Sequence, residues 1–123
     1  MEKGYERVQI NVIEQQTKIY IYGAGRVGRL MENLLVKSGY SIVAFLDINA
    51  TSRRYKNYNI IAPQELDKVK DATDVTIIIA LAAENIAKSV KESLEIAGYQ
   101  NVYLYSDRRI QEQFCLRNKG IEC

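Results

Sequence analysis

Ile19-Tyr20-Ile21-Tyr22-Gly23-Ala24-Gly25-Arg26-Val27-Gly28 leads straight into Leu30-Met31-Glu32-Asn33-Leu34-Leu35. The apolar run reads as a strand, the three glycines as a tight turn, and the following residues as the opening of a helix. A glycine turn alone is weak evidence, but here a strand precedes it and a helix follows. Asp47 then lies nineteen residues past Gly28, at the end of a second apolar run. In such a turn each glycine has its own physical task. Gly23 lets the chain leave the strand sharply, Gly25 leaves room for a pyrophosphate against the backbone, and Gly28 lets the helix pack closely on the sheet. The N–H groups that open the helix, aided by its dipole, face the anion. Ala24 and Val27 complete the turn. Arg26 is either a charge-assisted phosphate partner or a solvated loop cation.

Outward from this turn, apolar runs alternate with helical patterns, as in a parallel α/β sheet. The expected strands are Lys18–Tyr22, Ser41–Leu46, Asn59–Ile61, Val75–Leu81 and Asn101–Tyr105. The first helix repeats Val27, Leu30, Met31, Leu34 and Leu35 at helical spacing and stops at Gly39. A polar loop follows over residues 49–54. Pro63 suits the first turn of a short helix to about Lys70. A longer helix runs from about Glu84 to Ala97, with Ile86, Val90, Leu94 and Ala97 on one face and Gly98 as its stop. A closing helix is expected from Arg108 to about Asn118, carrying Ile110 and Phe114. Right-handed crossovers give a three-layer Rossmann-like sheet of about five strands, order 3-2-1-4-5, with helices on both faces. The expected organisation is an extension over residues 1–17, read as helical, a nucleotide-binding domain over 18–107, and a helix and tail over 108–123.

Ligands of such sheets sit outside the carboxyl ends of the strands, at the switch in strand order. The glycine turn, Asp47 and the Ala80-Leu81-Ala82 turn all fall at that edge. A carboxylate at Asp47 accepts from the ribose hydroxyls of an adenosine and repels a 2′-phosphate. NAD(H) is therefore expected over NADP(H), although Arg53 and Arg54 lie close enough in sequence to accommodate that phosphate. Ala80, Leu81 and Ala82 form the expected second wall and supply neither acid nor base. Glu84 reads as the start of the following helix.

Composition narrows the chemistry further. The chain has 123 residues, 47% hydrophobic and 26% charged, enough for one domain with one core. A net charge of +2 gives no electrostatic reason to expect nucleic acid as a partner. No apolar run reaches the ~20 residues of a membrane span, and the N-terminus lacks a signal pattern, so direct membrane insertion is not expected and a cytoplasmic protein is. There is no histidine. That removes Ser-His and Cys-His nucleophiles and the commonest general base. None of the nine tyrosines has a lysine four residues later, the pair used by short-chain dehydrogenases. Cys115 and Cys123 do not make a zinc framework, and neither a catalytic group nor a metal site is expected. Tyr20, Tyr22, Tyr103 and Tyr105 read as aromatic core beneath helices.

Ile21-Tyr22-Gly23-Ala24-Gly25 with Gly28, Gly39-Tyr40, Val43-Ala44-Phe45-Leu46-Asp47, Ile60-Ile61-Ala62-Pro63-Gln64-Glu65-Leu66 and Asp74-Val75-Thr76-Ile77-Ile78-Ile79-Ala80 together carry a family likeness. From Ile19 to Asp107 the chain resembles the N-terminal domain of CapD-like nucleoside-diphosphate-sugar epimerase/dehydratases. It is similar also to the N-terminal domain of sialic-acid-type sugar acyltransferases. The resemblance implies NAD or a nucleotide sugar at Gly23–Gly28 and Asp47, in nucleotide-sugar or polysaccharide metabolism; NADP and coenzyme A stay open. Within these 123 residues neither an epimerase half nor an acyltransferase solenoid follows Asp107, so the expected reading is either a free-standing binding domain or a piece of something larger. Residues 23–29 also resemble the glycine turn of regulatory nucleotide-binding domains of potassium channels and transporters, whose Gly-Asp after strand three is absent here. The expected function is a nucleotide-binding or regulatory module without self-contained catalysis. The alternatives are an oxidoreductase or sugar epimerase/dehydratase fragment lacking its catalytic domain, and a transporter regulator. A homo-oligomer or a partner catalytic domain also stays open.

Overall fold

The computed structural model describes residues 12–14, 17–49, 54–69 and 74–114. In chain order the elements are β1 (Lys18–Tyr22), α1 (Arg26–Lys37), β2 (Ile42–Leu46), β3 (Arg54–Tyr55), β4 (Tyr58–Ile61), a 3-10 helix (Pro63–Val69), β5 (Val75–Ile79), α2 (Glu84–Ile96), β6 (Val102–Leu104) and α3 (Arg108–Gln113). The six strands form one sheet in the order β3-β4-β2-β1-β5-β6. All neighbours are parallel except β3 and β4, which pair as an antiparallel hairpin. The five strands expected from the sequence thus stand in the expected order. The sixth, β3, begins at Arg54, where a polar loop was expected; two residues are too few to show a strand period.

Alternation along β1 divides the core in two. Ile19 and Ile21 face one side, with Phe45, Ile78, Met31 and Leu35 of α1 and Ile110 of α3. Tyr20 and Tyr22 face the other, with Leu46, Ile77, Ile79, Leu66 of the 3-10 helix and Ala87 of α2. Helices therefore cover both faces, which is why all five residues of β5 are buried, four of them apolar and the fifth, Thr76, hydrogen-bonded through its hydroxyl to Thr17. Ile77, Ile78 and Ile79 are each 0% exposed. Burying one such side chain is worth about 1.5–3 kcal/mol, so these three outweigh any surface ion pair, worth about 0–1 kcal/mol.

Two helix faces differ from the expected stripes. On α1 the buried residues are Gly28, Met31, Glu32 and Leu35, while Leu30 is 48% exposed. On α2, Ala87 is buried, Val90 and Leu94 are half-buried, and Ile86 is exposed. In both cases the buried face is rotated from the stripe chosen by apolarity alone; on α1 the close approach of Gly28 to the Gly23 carbonyl sets which side meets the sheet, and on α2 the small Ala87 is the buried residue.

Of residues 1–17, expected as helix, the described ones at 12–14 and 17 lie in bends and irregular chain. Gln113 of α3 anchors this segment. Its Oε1 accepts from the Val12 and Ile13 N–H groups at 2.9 and 3.3 Å, and its Nε2 donates to Tyr40 Oη at 2.8 Å. Tyr40 in turn donates to the Ile13 carbonyl. The far end of the expected closing helix, with Cys115 and Cys123, lies outside the described residues.

Burial pushes the Tyr20 phenol above its ordinary value of 10, and that of Tyr22 too, with the Asp47 charge adding to the second. Lys56 shifts up as well, chiefly through its hydrogen bond to Glu32, and Tyr58 chiefly through burial. A group whose folded pKa is raised lends stability that is whole below the unfolded value and is lost as pH rises through the folded one. Melting temperature should therefore hold from neutrality to about pH 10 and fall above it. Tyr22→Phe, followed by circular dichroism across pH 8–11.5, should show a shallower fall; an unchanged fall would remove this phenol as a cause.

Candidate functional site

Backbone hydrogen bonds carry the ladder past the strand ends and bring the expected site together. Gly23 N–H donates to Leu46 O at 2.7 Å, Asp47 N–H to Ile61 O at 3.0 Å, and Ala80 N–H to Tyr22 O at 2.9 Å. The glycine turn, Asp47 and the Ala80 turn therefore stand side by side at the carboxyl edge, where β2, β1 and β5 end.

The three glycines of the turn answer to different constraints. Gly23 has φ +115°, and a Cβ there would sit 2.7 Å from Ala80 O and 3.0 Å from Leu81 Cδ2. A Cβ on Gly28 would overlap the Gly23 carbonyl oxygen and reach the Gly23 carbonyl carbon at 3.1 Å. Both positions are closed by the protein's own backbone. Gly25 is not: its backbone is extended (φ −90°, ψ −154°), and a Cβ there would meet nothing within 4 Å. Neither a positive φ nor internal packing requires a glycine at 25. Gly25 is the N-cap, a position that tolerates glycine well, and the space in front of the helix there is open.

The start of α1 is also the helix end best suited to an anion. Its N-cap is Gly25, no side chain caps it, and no acid lies in its first turn. The first intrahelical bond there is donated by Arg29 to Gly25 O at 3.0 Å. By contrast, α2 carries Glu84 in its first turn, and α3 is capped by Asp107, which accepts from Arg109 N–H at 2.8 Å. Arg109 also holds the Asp107 carboxyl below its ordinary range. A helix dipole favours negative charge by about 0.3–1 kcal/mol at an exposed N-terminus; α2 and α3 meet that with their own carboxylates, and α1 does not.

The other expected site residues divide. Arg26 is exposed at the first position of α1, and Val27 is half-buried behind it. Asp47 is half-buried, and its Oδ1 accepts from Asn49 N–H at 2.8 Å, which fixes the carboxylate against its own loop. Ala24 and Ala80 are buried, at 8% and 4% exposure. Ala80 therefore supports Gly23 from below instead of offering a wall, while Leu81 is half-buried and Ala82 exposed. Arg54, a candidate for a 2′-phosphate, instead donates from Nη2 to Asn57 O at 3.2 Å within its own hairpin. Arg53 lies outside the described residues.

One feature beside the site was not anticipated. Glu32, 3% exposed on α1, accepts from Lys56 Nζ at 3.0 Å and from Tyr58 Oη at 3.1 Å. The sequence did hold a signal: Glu32 stands at i+4 from Gly28 and next to Met31, on the stripe that faces the sheet. Among the described residues, no group of three or more His, Cys, Asp or Glu could hold a metal, and no helix is long and apolar enough to cross a membrane. A polar cleft of about 570 Å³ lies at the opposite, amino edge of the sheet, lined by residues including Glu14, Thr17, Asp74, Thr76 and Asn101. Thr17 and Thr76 hydroxyls bond across its floor at 2.6 Å.

The model of the family described as C2185-like, N-terminal, matches residues 15–102. The chain belongs to that family. No curated protein matches it. Among solved structures the chain is similar to RSP, a Rex-family repressor, at 20% identity and a TM-score of 0.58, covering 73% of this chain and 45% of that one. It is similar also to RSP in complex with beta-NADH, at 20% identity and 0.58, covering 75% and 46%. The chain thus spans less than half the length of these neighbours. A likeness at that identity establishes the Rossmann-type fold.

Two substitutions separate the roles of the glycines. Gly28→Ala should lower stability by about 3 kcal/mol or more, because a backbone carbonyl cannot move aside. Gly25→Ala should change it by no more than about 1 kcal/mol. Urea unfolding of both variants checks this; equal losses would contradict the distinction.

Proposed function

We propose that this member of the C2185-like N-terminal family binds a dinucleotide, NAD(H), across the carboxyl edge of its sheet and serves as a binding or regulatory module. The observation that carries the reading is Gly25. It is the one glycine of the turn that the protein's own packing does not require, and it fronts the uncapped start of α1. A pyrophosphate in that space would accept from the N–H groups of the first turn, with Arg26 near enough in sequence to add charge. Asp47 would accept from the adenosine ribose and disfavour a 2′-phosphate. Gly23, Ala24, Val27, Gly28, Ala80 and Leu81 would shape and support the cradle, and Ala82 would border it. The nicotinamide would supply the redox sensitivity; the residues of this chain bind and orient.

The solved neighbour in complex with beta-NADH supports the choice of ligand, since it shares the fold. The sequence resemblance to CapD-like enzymes supports a narrower setting in nucleotide-sugar or polysaccharide metabolism. A UDP-sugar is then the competing ligand.

Calorimetric titration with NADH, NADPH, a UDP-sugar and coenzyme A tests these readings together. NADH should bind with a Kd well below about 1 mM, the level at which binding is worth only ~4 kcal/mol. Gly25→Val should abolish that binding. Asp47→Ala should weaken NADH about 10- to 100-fold, the worth of hydrogen bonds to a charged group, and narrow the preference over NADPH. Tighter binding of the UDP-sugar would replace NAD(H) with the narrower ligand, and no binding below millimolar by any of the four would overturn the reading.

A further inference from the structure

A carboxylate on the sheet-facing stripe of a helix is costly unless it is paired, and an apolar residue of similar size is often at least as stabilising there. Glu32 occupies such a position, and stability alone gives no reason for it. Its two oxygens are both used, one by Lys56 Nζ and one by Tyr58 Oη. Lys56, with φ +55°, forms the tip of the hairpin that joins β3 to β4. On either side of that tip, Tyr55 and Tyr58 pack edge-on against Phe45 of β2, with ring centroids 5.5 and 5.6 Å away. The Arg29 guanidinium of α1 covers the Tyr55 ring at 4.7 Å. The hairpin is thus fastened to α1 at one end and to β2 beneath it.

Those attachments join the two halves of the proposed site. α1 presents its first-turn N–H groups at the carboxyl edge. β4, the return strand of the hairpin, accepts the Asp47 N–H at Ile61 O. A continuous rigid path therefore runs from the start of α1 to Glu32, through Lys56 and Tyr58, along β4 and across to Asp47. We propose that Glu32 is a positioning residue for the ligand: by locking the β3–β4 hairpin to α1, it fixes the separation between the N–H cradle and the Asp47 carboxylate. A ligand that needs both a phosphate grip and a ribose grip then meets them already spaced, without ordering the hairpin at the moment of binding. The inference rests on the dinucleotide reading of the site and adds a residue that touches no ligand.

The test is a double-mutant cycle on the full chain, by calorimetric titration with NADH at a temperature where every variant is folded. Glu32→Gln keeps the shape but removes the charge that holds Lys56, and should weaken NADH about five- to tenfold, the size of a coupling between linked sites. Lys56→Met should do the same, and Lys56→Arg, which restores the ion pair, should return affinity to within about twofold. In the Asp47→Ala background, where the spacing no longer matters, Glu32→Gln should cost less than about twofold, a departure from additivity expected only of coupled residues. An equal loss in both backgrounds would mean that Glu32 merely stabilises the fold, and would overturn the inference. So would unchanged affinity in Glu32→Gln when the native chain binds NADH. If the native chain binds no NADH, the dinucleotide reading itself fails, and this inference with it.

Discussion

The contact between Gly28 and the carbonyl of Gly23 sets the geometry on which everything at the carboxyl edge depends. It brings the first turn of α1 directly over the end of β1, closer than any side chain would allow. Because the helix is pinned there, its N–H groups point out of the edge where β1, β2 and β5 end, beside Asp47. Gly23 is held in turn from below by Ala80 and Leu81, so the turn is packed between the helix and the next strand. A turn constrained on two sides leaves one side open, and Gly25 stands on it. The helix ends also differ in charge: α2 has Glu84 in its first turn and α3 is capped by Asp107, whereas α1 has no acid there and begins with Arg26.

The same pinning explains the two-sided core. With α1 fixed over β1 and α2 crossing on the opposite face, β1 and β5 are covered on both sides. The Ile-Tyr alternation of β1 divides its residues accordingly: isoleucines under α1, tyrosines beneath the α2 layer. The tyrosines carry a consequence for solution behaviour, since burial raises both phenols and folded-state stability is therefore lost as pH rises into the alkaline range. On the other flank, the β3–β4 hairpin is held to β2 by the β4 ladder and the Phe45 contacts, and to α1 by Arg29 and Glu32. Its attachment to α1 makes the edge part of the same rigid body as the turn.

Much of this was legible in the sequence because it is written in local chemistry. The glycine spacing, the apolar runs and the stops at Gly39 and Gly98 give five strands in their observed order. What the sequence hid was set by contacts between distant segments. β3 has two residues, Arg54 and Tyr55, and no period can be read from two. Leu30 looked like core by apolarity, yet the close approach at Gly28 turns it outward and puts Glu32 inward. Ala80 reads as a crevice wall by its place after a strand, but its buried carbonyl lies under Gly23. The separate tasks of the glycines became clear only from what surrounds each one: Gly23 and Gly28 meet backbone, and Gly25 meets nothing.

The central claim is that the open side of the glycine turn receives the pyrophosphate of a dinucleotide. Amide ¹H–¹⁵N spectra recorded during titration with NADH test it at the atoms concerned. The account expects the largest shifts at the N–H groups of Gly25, Arg26, Val27 and Gly28, with Asp47 following, and little change at Thr17, Thr76 and Asn101 at the amino edge. Saturable shifts confined to the amino-edge cleft, with residues 25–28 unmoved, would contradict it.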